Sequence, residues 1–406
     1  MPDGTENKEG VVFVVEIPAV SVDFSPAIEV DFVGESPHPV KVGIEAIEVS
    51  PDVGYFSPEQ IIDGTGKKQL YPISFSKAGT YGFLIRDLSG SNCKDVREYT
   101  LTVTVTEDGT ELKASGVYSV DSGLNKKPSD CATFIHVKSG TYHWSSATEL
   151  KARRLLNQMT LEEKVGQLFL LHYSDTTVRT AEDVKAITDK YHPGGYIVFQ
   201  PDLVNESPES FKAKIDQTQK DSKIPLIISI DEEGGKVNRA SNLPQYRSSA
   251  FPGPQDLKTN GGLPAVLADA ADKAAFLKNL GVNMNHAPVA DVASTGYIYA
   301  RTWGGDGLDN ASYVEAAVKG MEEAGMRTTL KHFPGYGSTS SNTHNGFAVN
   351  YLSENDFRYN DLIPFYAGMN AGNRAVMVTH NTINYLDKQN PASLSPAVYS
   401  LLRNQI

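Results

Sequence analysis

Two rhythms of apolar and polar positions divide this chain. Up to about residue 140 the apolar positions alternate, or run in short β-branched and aromatic stretches: "VVFVVEIP", "IEVDFVG", "VKVGIEAIEV", "LYPISFS", "TYGFLIRD" and "YTLTVTVTED". A period of two over such lengths predicts strands, and the Pro, Gly, Asp and Ser clusters between them predict turns. The spacing predicts an antiparallel β-sandwich over residues 1–143.

From residue 144 the period lengthens. "SATELKARRLLNQMTLEEKVGQLFLL" has helical spacing, with a capping box at Thr160 and Glu163. Beyond it, apolar strand cores ("VGQLFLL", "GGYIVF", "PLIISI", "GVNMNHAPV", "MRTTLKHF", "AVMVTHN") alternate with helical runs such as "AVLADAADKAAFLKNLG" and "SYVEAAVKGMEEAG". Ser312 and Glu315 read as a second capping box and Gly325 as the C-terminal stop of that helix. Repeated strand–helix units predict an α/β domain over 144–406 with a parallel sheet and helices outside it, either a barrel or an open doubly wound sheet.

In such folds the reactive groups collect at the C-terminal ends of the strands. Here "PLIISI" runs into Asp231, Glu232 and Glu233, and "GVNMN" into His286 and Asp291. "MRTTL" runs into Lys331, His332 and a Ser/Thr-rich loop carrying His344, and "AVMVT" into His380 and Asn381. Four strands with ionisable or polar residues at the same end predict one site. Neither G-x-G-x-x-G nor G-x-x-x-x-G-K-[ST] occurs between a strand and a helix, so no nucleotide cofactor is expected, and no G-x-S-x-G suggests a serine hydrolase. Carboxylates, Lys, Arg and His beside Tyr297, Tyr299 and Trp303 suit a neutral polyhydroxylated ligand such as a sugar.

Composition narrows the partners. The 406 residues carry a net charge of −12, which argues against a nucleic-acid partner. No apolar run approaches the ~20 residues of a membrane span, and the opening "MPDGTENKEG" lacks the signature of a signal peptide. Cys93 and Cys131 are compatible with a disulfide in an oxidising compartment and equally with two buried thiols; no Cys/His spacing suggests a metal site.

Two resemblances sharpen these expectations. "KAGTYGFLIRDL" followed by "EYTLTVTVTEDGTELKA" resembles the repeat modules of Gram-positive surface pilins. The closing strand with its asparagine is not evident around "ATFIHVKSG", so an immunoglobulin-like spacer is expected rather than an isopeptide-bonded module. Over residues 150–406, "LEEKVGQLF", "IDEEGGKVNR", "FPGPQDL", "LGVNMNHAPVADV", "ARTWGGD", "LKHFPGYG", "NTH" and "PASLSP" resemble glycoside hydrolase family 3, in its β-N-acetylhexosaminidase branch.

That resemblance implies a (β/α)8-type barrel and retaining hydrolysis of terminal β-linked N-acetylglucosamine, with muropeptides or chitin fragments as sources and an extracellular or cell-surface location. It implies that Asp231, Arg239, Arg301, Lys331 and His332 bind the sugar and that His344 is the acid/base on the flexible loop. The family's partner aspartate is replaced by Asn342, which supplies a hydrogen bond without charge, so the protonated imidazole is expected to be scarcer near neutral pH. The family's nucleophilic aspartate would follow "SLSPAVYSLLRNQI", so the 406-residue sequence is expected to be an inactive piece of a longer enzyme, with a barrel incomplete at its C-terminal end. The competing expectation is a non-catalytic carbohydrate-binding or adhesive surface protein with a degenerate barrel.

Overall fold

The computed structural model describes residues 21–34, 37–47, 56–90, 95, 97–108, 111–120, 129–137, 146–173, 180–339, 341–343 and 346–404. The chain forms two compact units, Met1–Asp31 with Pro37–Asp121 and Lys126–Phe134, and Phe32–Ser36 with Ser122–Asn125 and Ile135–Ile406.

The first unit is built from strands β1 (Val22–Phe24), β2 (Ala27–Val33), β3 (Val40–Ala46), β4 (Glu59–Ile62), β5 (Gly66–Gln69), β6 (Ile73–Phe75), β7 (Gly79–Asp87), β8 (Glu98–Asp108), β9 (Glu111–Val120) and β10 (Ala132–Val137). Five of them form a sheet in the order β4-β3-β7-β8-β9, antiparallel at every pairing. On β8 the alternation works as its sequence suggests: Tyr99, Leu101, Val103 and Val105 are buried while Thr102 and Thr104 face outward. β2 lies between β10 and β5, and β1 pairs with β6. The strand expected at "VVFVVEIP" lies outside the described residues, whereas β4 and β5, short and rich in Glu, Lys and Gln, and β9, which mixes small and polar residues into its run, escape an apolar pattern. Cys131 is a buried thiol without a disulfide; Cys93 lies outside the described residues.

The second unit opens with helices α1 (Ser146–Gln158) and α2 (Leu161–Gly166). At α2 the Thr160 hydroxyl accepts from the Glu163 N–H and the Glu163 carboxylate accepts from the Thr160 N–H, the reciprocal cap expected there. "VGQLFLL" is only partly strand: Val165 and Gly166 end the helix, and β11 is Leu170–His172. It is followed by α3 (Ala181–Tyr191), β12 (Gly195–Val198), α4 (Pro208–Asp221), β13 (Ile227–Ile230), α5 (Pro254–Asn279), β14 (Met284–Asn285), α6 (Gly307–Glu323) and β15 (Arg327–Thr328). These five strands form one parallel sheet in chain order, the arrangement of a (β/α)8-type barrel.

"MRTTLKHF" breaks at Thr329 into β15 and β16 (Leu330–Phe333). Thr329 N–H donates to Ala287 on one side, and β16 pairs in parallel with β18 (Val376–Val378) on the other, so this segment carries the curved wall onward. A short parallel pair, β17 (Val349–Asn350) and β19 (Thr382–Ile383), the one-turn α7 (Glu354–Asp356), α8 (Ile363–Asn370) and α9 (Pro396–Asn404) complete the unit. The expected capping box at Ser312 and Glu315 is not a cap. The Asp306 carboxylate accepts from Asp309 N–H and starts α6 earlier, leaving Ser312 and Glu315 inside the helix. Among the described residues no helix is long and apolar enough to cross a membrane.

Tyr196, Val198, Ile228, Leu330, Phe333 and Phe365 are fully buried and fix the sheet against its helices. Gly195 is needed where β12 meets β13: a Cβ there would stand 1.9 Å from the Ile227 carbonyl oxygen. Gly195→Ala must therefore push the two strands apart, and we expect a loss of about 1–3 kcal/mol in denaturant unfolding; an unchanged midpoint would show that the pairing yields without cost.

Candidate functional site

β13 is buried on both faces up to Ile230 and then releases three acidic residues in a row, whose side chains keep the period of two. Asp231 and Glu233 point into a cavity, and Glu232 points away from it. The Glu232 carboxylate is wholly buried and accepts from the N–H groups of Arg239, Ala240 and Ser241 and from the Ser241 hydroxyl. It holds the segment that carries Arg239. The chain turns after Glu233 through Gly234, at φ 101°, where a Cβ would stand 2.1 Å from the Pro252 carbonyl oxygen. Only glycine fits that turn.

β16 brings Lys331 against the same turn. The residue is 1% exposed, and its ammonium lies 2.7 Å from Asp231 Oδ1 and 2.6 Å from Glu233 Oε1. Arg301 closes on Glu233 from the far side as a fork, Nε to Oε2 at 2.9 Å and Nη2 to Oε1 at 2.7 Å. Arg239 Nη2 stands 3.9 Å from Asp231 Oδ2. Burial by itself would raise both acids, but Lys331 outweighs it, aided by Arg301 at Glu233 and by Arg239 at Asp231, and both are held below the ordinary carboxylate range. Behind Asp231, His286 shares a hydrogen bond with the Thr329 hydroxyl, and burial pushes its imidazole down to about 4, so it is neutral at neutral pH.

The loop after β16 is tied down at its root by Asp291. One oxygen of that carboxylate accepts from the Tyr336 N–H at 2.7 Å, and the other from His332, through the backbone N–H at 3.2 Å and ring Nδ1 at 2.6 Å. This fixes the His332 ring with Nδ1 engaged. Farther along, the Tyr336 hydroxyl donates to the Ser341 carbonyl and accepts from the Thr343 N–H, folding the loop back on itself.

These groups line one cavity of about 460 Å³. Asp231, Glu233, Arg239, Arg301, Lys331 and His332 form its polar side. Phe199, Val237, Tyr297, Tyr336, Met377 and Val378 supply apolar surface, and Thr343, Thr379 and His380 complete the wall. The Arg239 guanidinium lies 5.7 Å from the Phe199 ring centre, which orients it along the wall. A ligand with hydroxyls on its rim and carbon faces above and below matches this lining; the volume suits one or two sugar rings.

All five sugar-binding candidates, Asp231, Arg239, Arg301, Lys331 and His332, thus reach the same cavity. Of the two candidates for proton transfer, His344 lies outside the described residues, and Asn342 is half-buried beside Thr343 without itself lining the wall. Two of the three aromatic candidates are corrected. Trp303 is buried and stacked on Tyr313 with ring centres 5.5 Å apart, and Tyr299 caps no part of the cavity; only Tyr297 lines it. Glu233, expected among the polar residues of this strand end but not among the sugar-binding candidates, belongs to the charged network; its place two residues after Asp231 on one strand end is the signal for that. Phe199 was read only as strand core, since an aromatic ending "GGYIVF" has no signature of its own.

The family model described as the glycosyl hydrolase family 3 N-terminal domain matches residues 160–406. The beta-hexosaminidase LpqI of Mycobacterium tuberculosis is 32% identical over 244 residues, covering 59% of this chain and 60% of that protein. A beta-hexosaminidase of Xylella fastidiosa is 36% identical over 166 residues, covering 38% and 48%. Among solved structures, M. tuberculosis LpqI superposes with a TM-score of 0.55 at 29% identity, over 62% of this chain and 70% of that one. A family 3 beta-N-acetylglucosaminidase from Paenibacillus also gives 0.55 at 29% identity, over 60% and 47%. The chain spans about 60% of the length of the LpqI relative and about half that of the Xylella one.

Proposed function

Because this chain belongs to glycosyl hydrolase family 3, we propose that it is a glycoside hydrolase of the β-N-acetylhexosaminidase type whose cavity takes the terminal N-acetylglucosamine of a β-linked saccharide. The observation that carries this reading is the convergence of Asp231, Arg239, Arg301, Lys331 and His332 on one cavity with aromatic walls. Asp231, with both oxygens facing cations, is suited to accept hydrogen bonds from two adjacent sugar hydroxyls. Lys331, Arg239 and Arg301 donate to ring substituents, and Phe199 and Tyr297 cover carbon faces.

His344, one residue beyond the cavity-lining Thr343, is the acid/base in this reading, with Asn342 as its neutral partner. It protonates the glycosidic oxygen on departure and then takes a proton from water. A retaining mechanism also needs a nucleophilic carboxylate about 5 Å from that acid. The resemblance to the family implies an aspartate on a later strand for that role, and neither Asp231 nor Glu233 matches it. Residues 1–143 act as a spacer in this reading, at the cell surface or outside the cell, where muropeptides or chitin fragments are the available saccharides.

Calorimetric titration with N-acetylglucosamine is expected to give binding that Asp231→Asn abolishes; no binding, or binding indifferent to that change, ends the sugar reading. In a protein that carries the nucleophilic carboxylate and turns over a chromogenic β-N-acetylglucosaminide, turnover is expected to fall about 10²- to 10⁴-fold in His344→Ala, the usual worth of a positioned acid/base. Undiminished turnover removes His344 from the mechanism. Sugar binding with no turnover in a protein that does carry the nucleophilic carboxylate would favour a non-catalytic carbohydrate-binding protein instead.

A further inference from the structure

Behind the turn that presents Glu233 lies a charged pair that does not line the cavity. Asp269 and Lys273 stand one helical turn apart on α5, and both side chains are more than nine-tenths buried. Lys273 Nζ donates to Asp269 Oδ2 at 2.9 Å and to the backbone carbonyl of Glu233 at 3.0 Å, and it sits 5.1 Å from the centre of the Phe251 ring. Two donors are spent on oxygen and an aromatic face covers a further side.

A buried ion pair is a weak source of stability, since well-packed apolar residues of similar volume do as well or better. What this pair does have is a geometric consequence. The carbonyl it grips belongs to the residue whose carboxylate spans Lys331 and Arg301. At the same turn, Gly235 N–H donates to the Phe251 carbonyl and Gly234 packs against the Pro252 carbonyl. The Glu233–Gly235 turn is therefore held both by the Phe251–Gly253 segment and by the Lys273 ammonium.

We propose that Lys273 is a positioning residue for the cavity: by fixing the Glu233 carbonyl it fixes the carboxylate that holds Lys331 and Arg301 in their binding geometry. The ligand readout of this proposal rests on the sugar reading above, whereas its geometric content does not.

The test is the double variant Asp269→Leu/Lys273→Met, which removes the pair without leaving an unpaired buried charge. Its thermal midpoint is expected to stay near that of the parent protein, while its affinity for N-acetylglucosamine falls by about tenfold or more, as misplaced binding groups do. Its crystal structure is expected to show the Glu233 carboxylate off one of its two cations. A folded variant with Glu233 still spanning Lys331 and Arg301 and with parental affinity overturns the proposal. Should the parent itself bind no N-acetylglucosamine, the sugar reading fails, and the crystal structure alone decides about Lys273. Should the double variant not fold, Lys273→Arg keeps the pair but adds length against the Glu233 carbonyl; weakened binding supports the proposal and unchanged affinity overturns it.

Discussion

Replacing Lys331 by methionine is expected to cost the barrel about 3–5 kcal/mol and to abolish sugar binding. The magnitude is that of breaking a buried ion pair by removing one partner, because the other is left as an uncompensated charge. Here one ammonium serves two carboxylates, Asp231 at 2.7 Å and Glu233 at 2.6 Å, in a site where it is itself 1% exposed. The two acids do not suffer equally. Glu233 keeps the Arg301 fork, whereas Asp231 retains only Arg239, at 3.9 Å. Asp231 should therefore take up a proton at a higher pH in the variant, losing its charge where a sugar hydroxyl would need an acceptor. Adding Asp231→Asn to Lys331→Met should recover part of the stability and none of the binding. Urea unfolding and calorimetry measure the two losses separately. A single variant that loses less than about 1 kcal/mol would mean that water reaches the pair and screens it.

A second large effect concerns pH. Phe357–Asp361 is a single π-helical turn ahead of α8, and Asp361 on it is wholly buried. Its carboxyl accepts from the Asn360 and Asn350 amides and from the Ser338 hydroxyl at 3.0–3.3 Å. Burial, with a contribution from nearby Asp291, pushes it up to about 7. The folded protein thus retains a proton that the unfolded chain gives up near pH 4. Between about pH 4 and 7 this group makes stability fall as pH rises, by up to about 1.4 kcal/mol per unit. His286 acts in the opposite sense. Burial depresses it to about 4, so the unfolded chain binds a proton below about pH 6.5 that the native state refuses, and stability falls as pH drops through that window.

The two slopes oppose each other between about pH 4 and 6.5, and the parent protein should show little net dependence from them there. Asp361→Asn, which resembles the neutral acid, removes one slope. The variant should match the parent most closely near pH 4 and exceed it by about 2–4 kcal/mol at pH 8, the surplus growing steadily between. Thermal or urea unfolding across pH 4–8 reads the difference. A surplus that does not change with pH would mean that Asp361 is already ionised throughout, with its three donors offsetting burial.

The charged residues at strand ends could be read from the sequence because two signals coincide there. An apolar run of four to six residues marks a buried strand, and polar residues immediately after it fall at the end where α/β folds open. Asp231, Lys331 and His332 follow from that logic. What it could not separate is which of three consecutive acids faces the ligand, since Glu232 and Glu233 are chemically identical and only the partners at Arg239–Ser241 and Arg301 distinguish them. Trp303 reads as a sugar platform until its stacking on Tyr313 shows it buried. The "ENDFRYND" segment around Asp361 has the composition of a solvated helix, and nothing local reveals that α6 and α8 close over it. Asp306 outcompetes Ser312 as the start of α6 because a carboxylate already stands where the chain leaves the Gly304–Gly305 turn. Such distinctions depend on neighbours distant in sequence.

The alternation along Asp231, Glu232 and Glu233 also constrains how genes for this barrel can drift. Substitutions in the run lose one function each, but insertion or loss of a single codon there would swap them: the anchoring glutamate would swing toward the cavity and a cavity-facing acid would be driven into the packed interior. Length polymorphism should accordingly be purged from this corner more strictly than spelling changes.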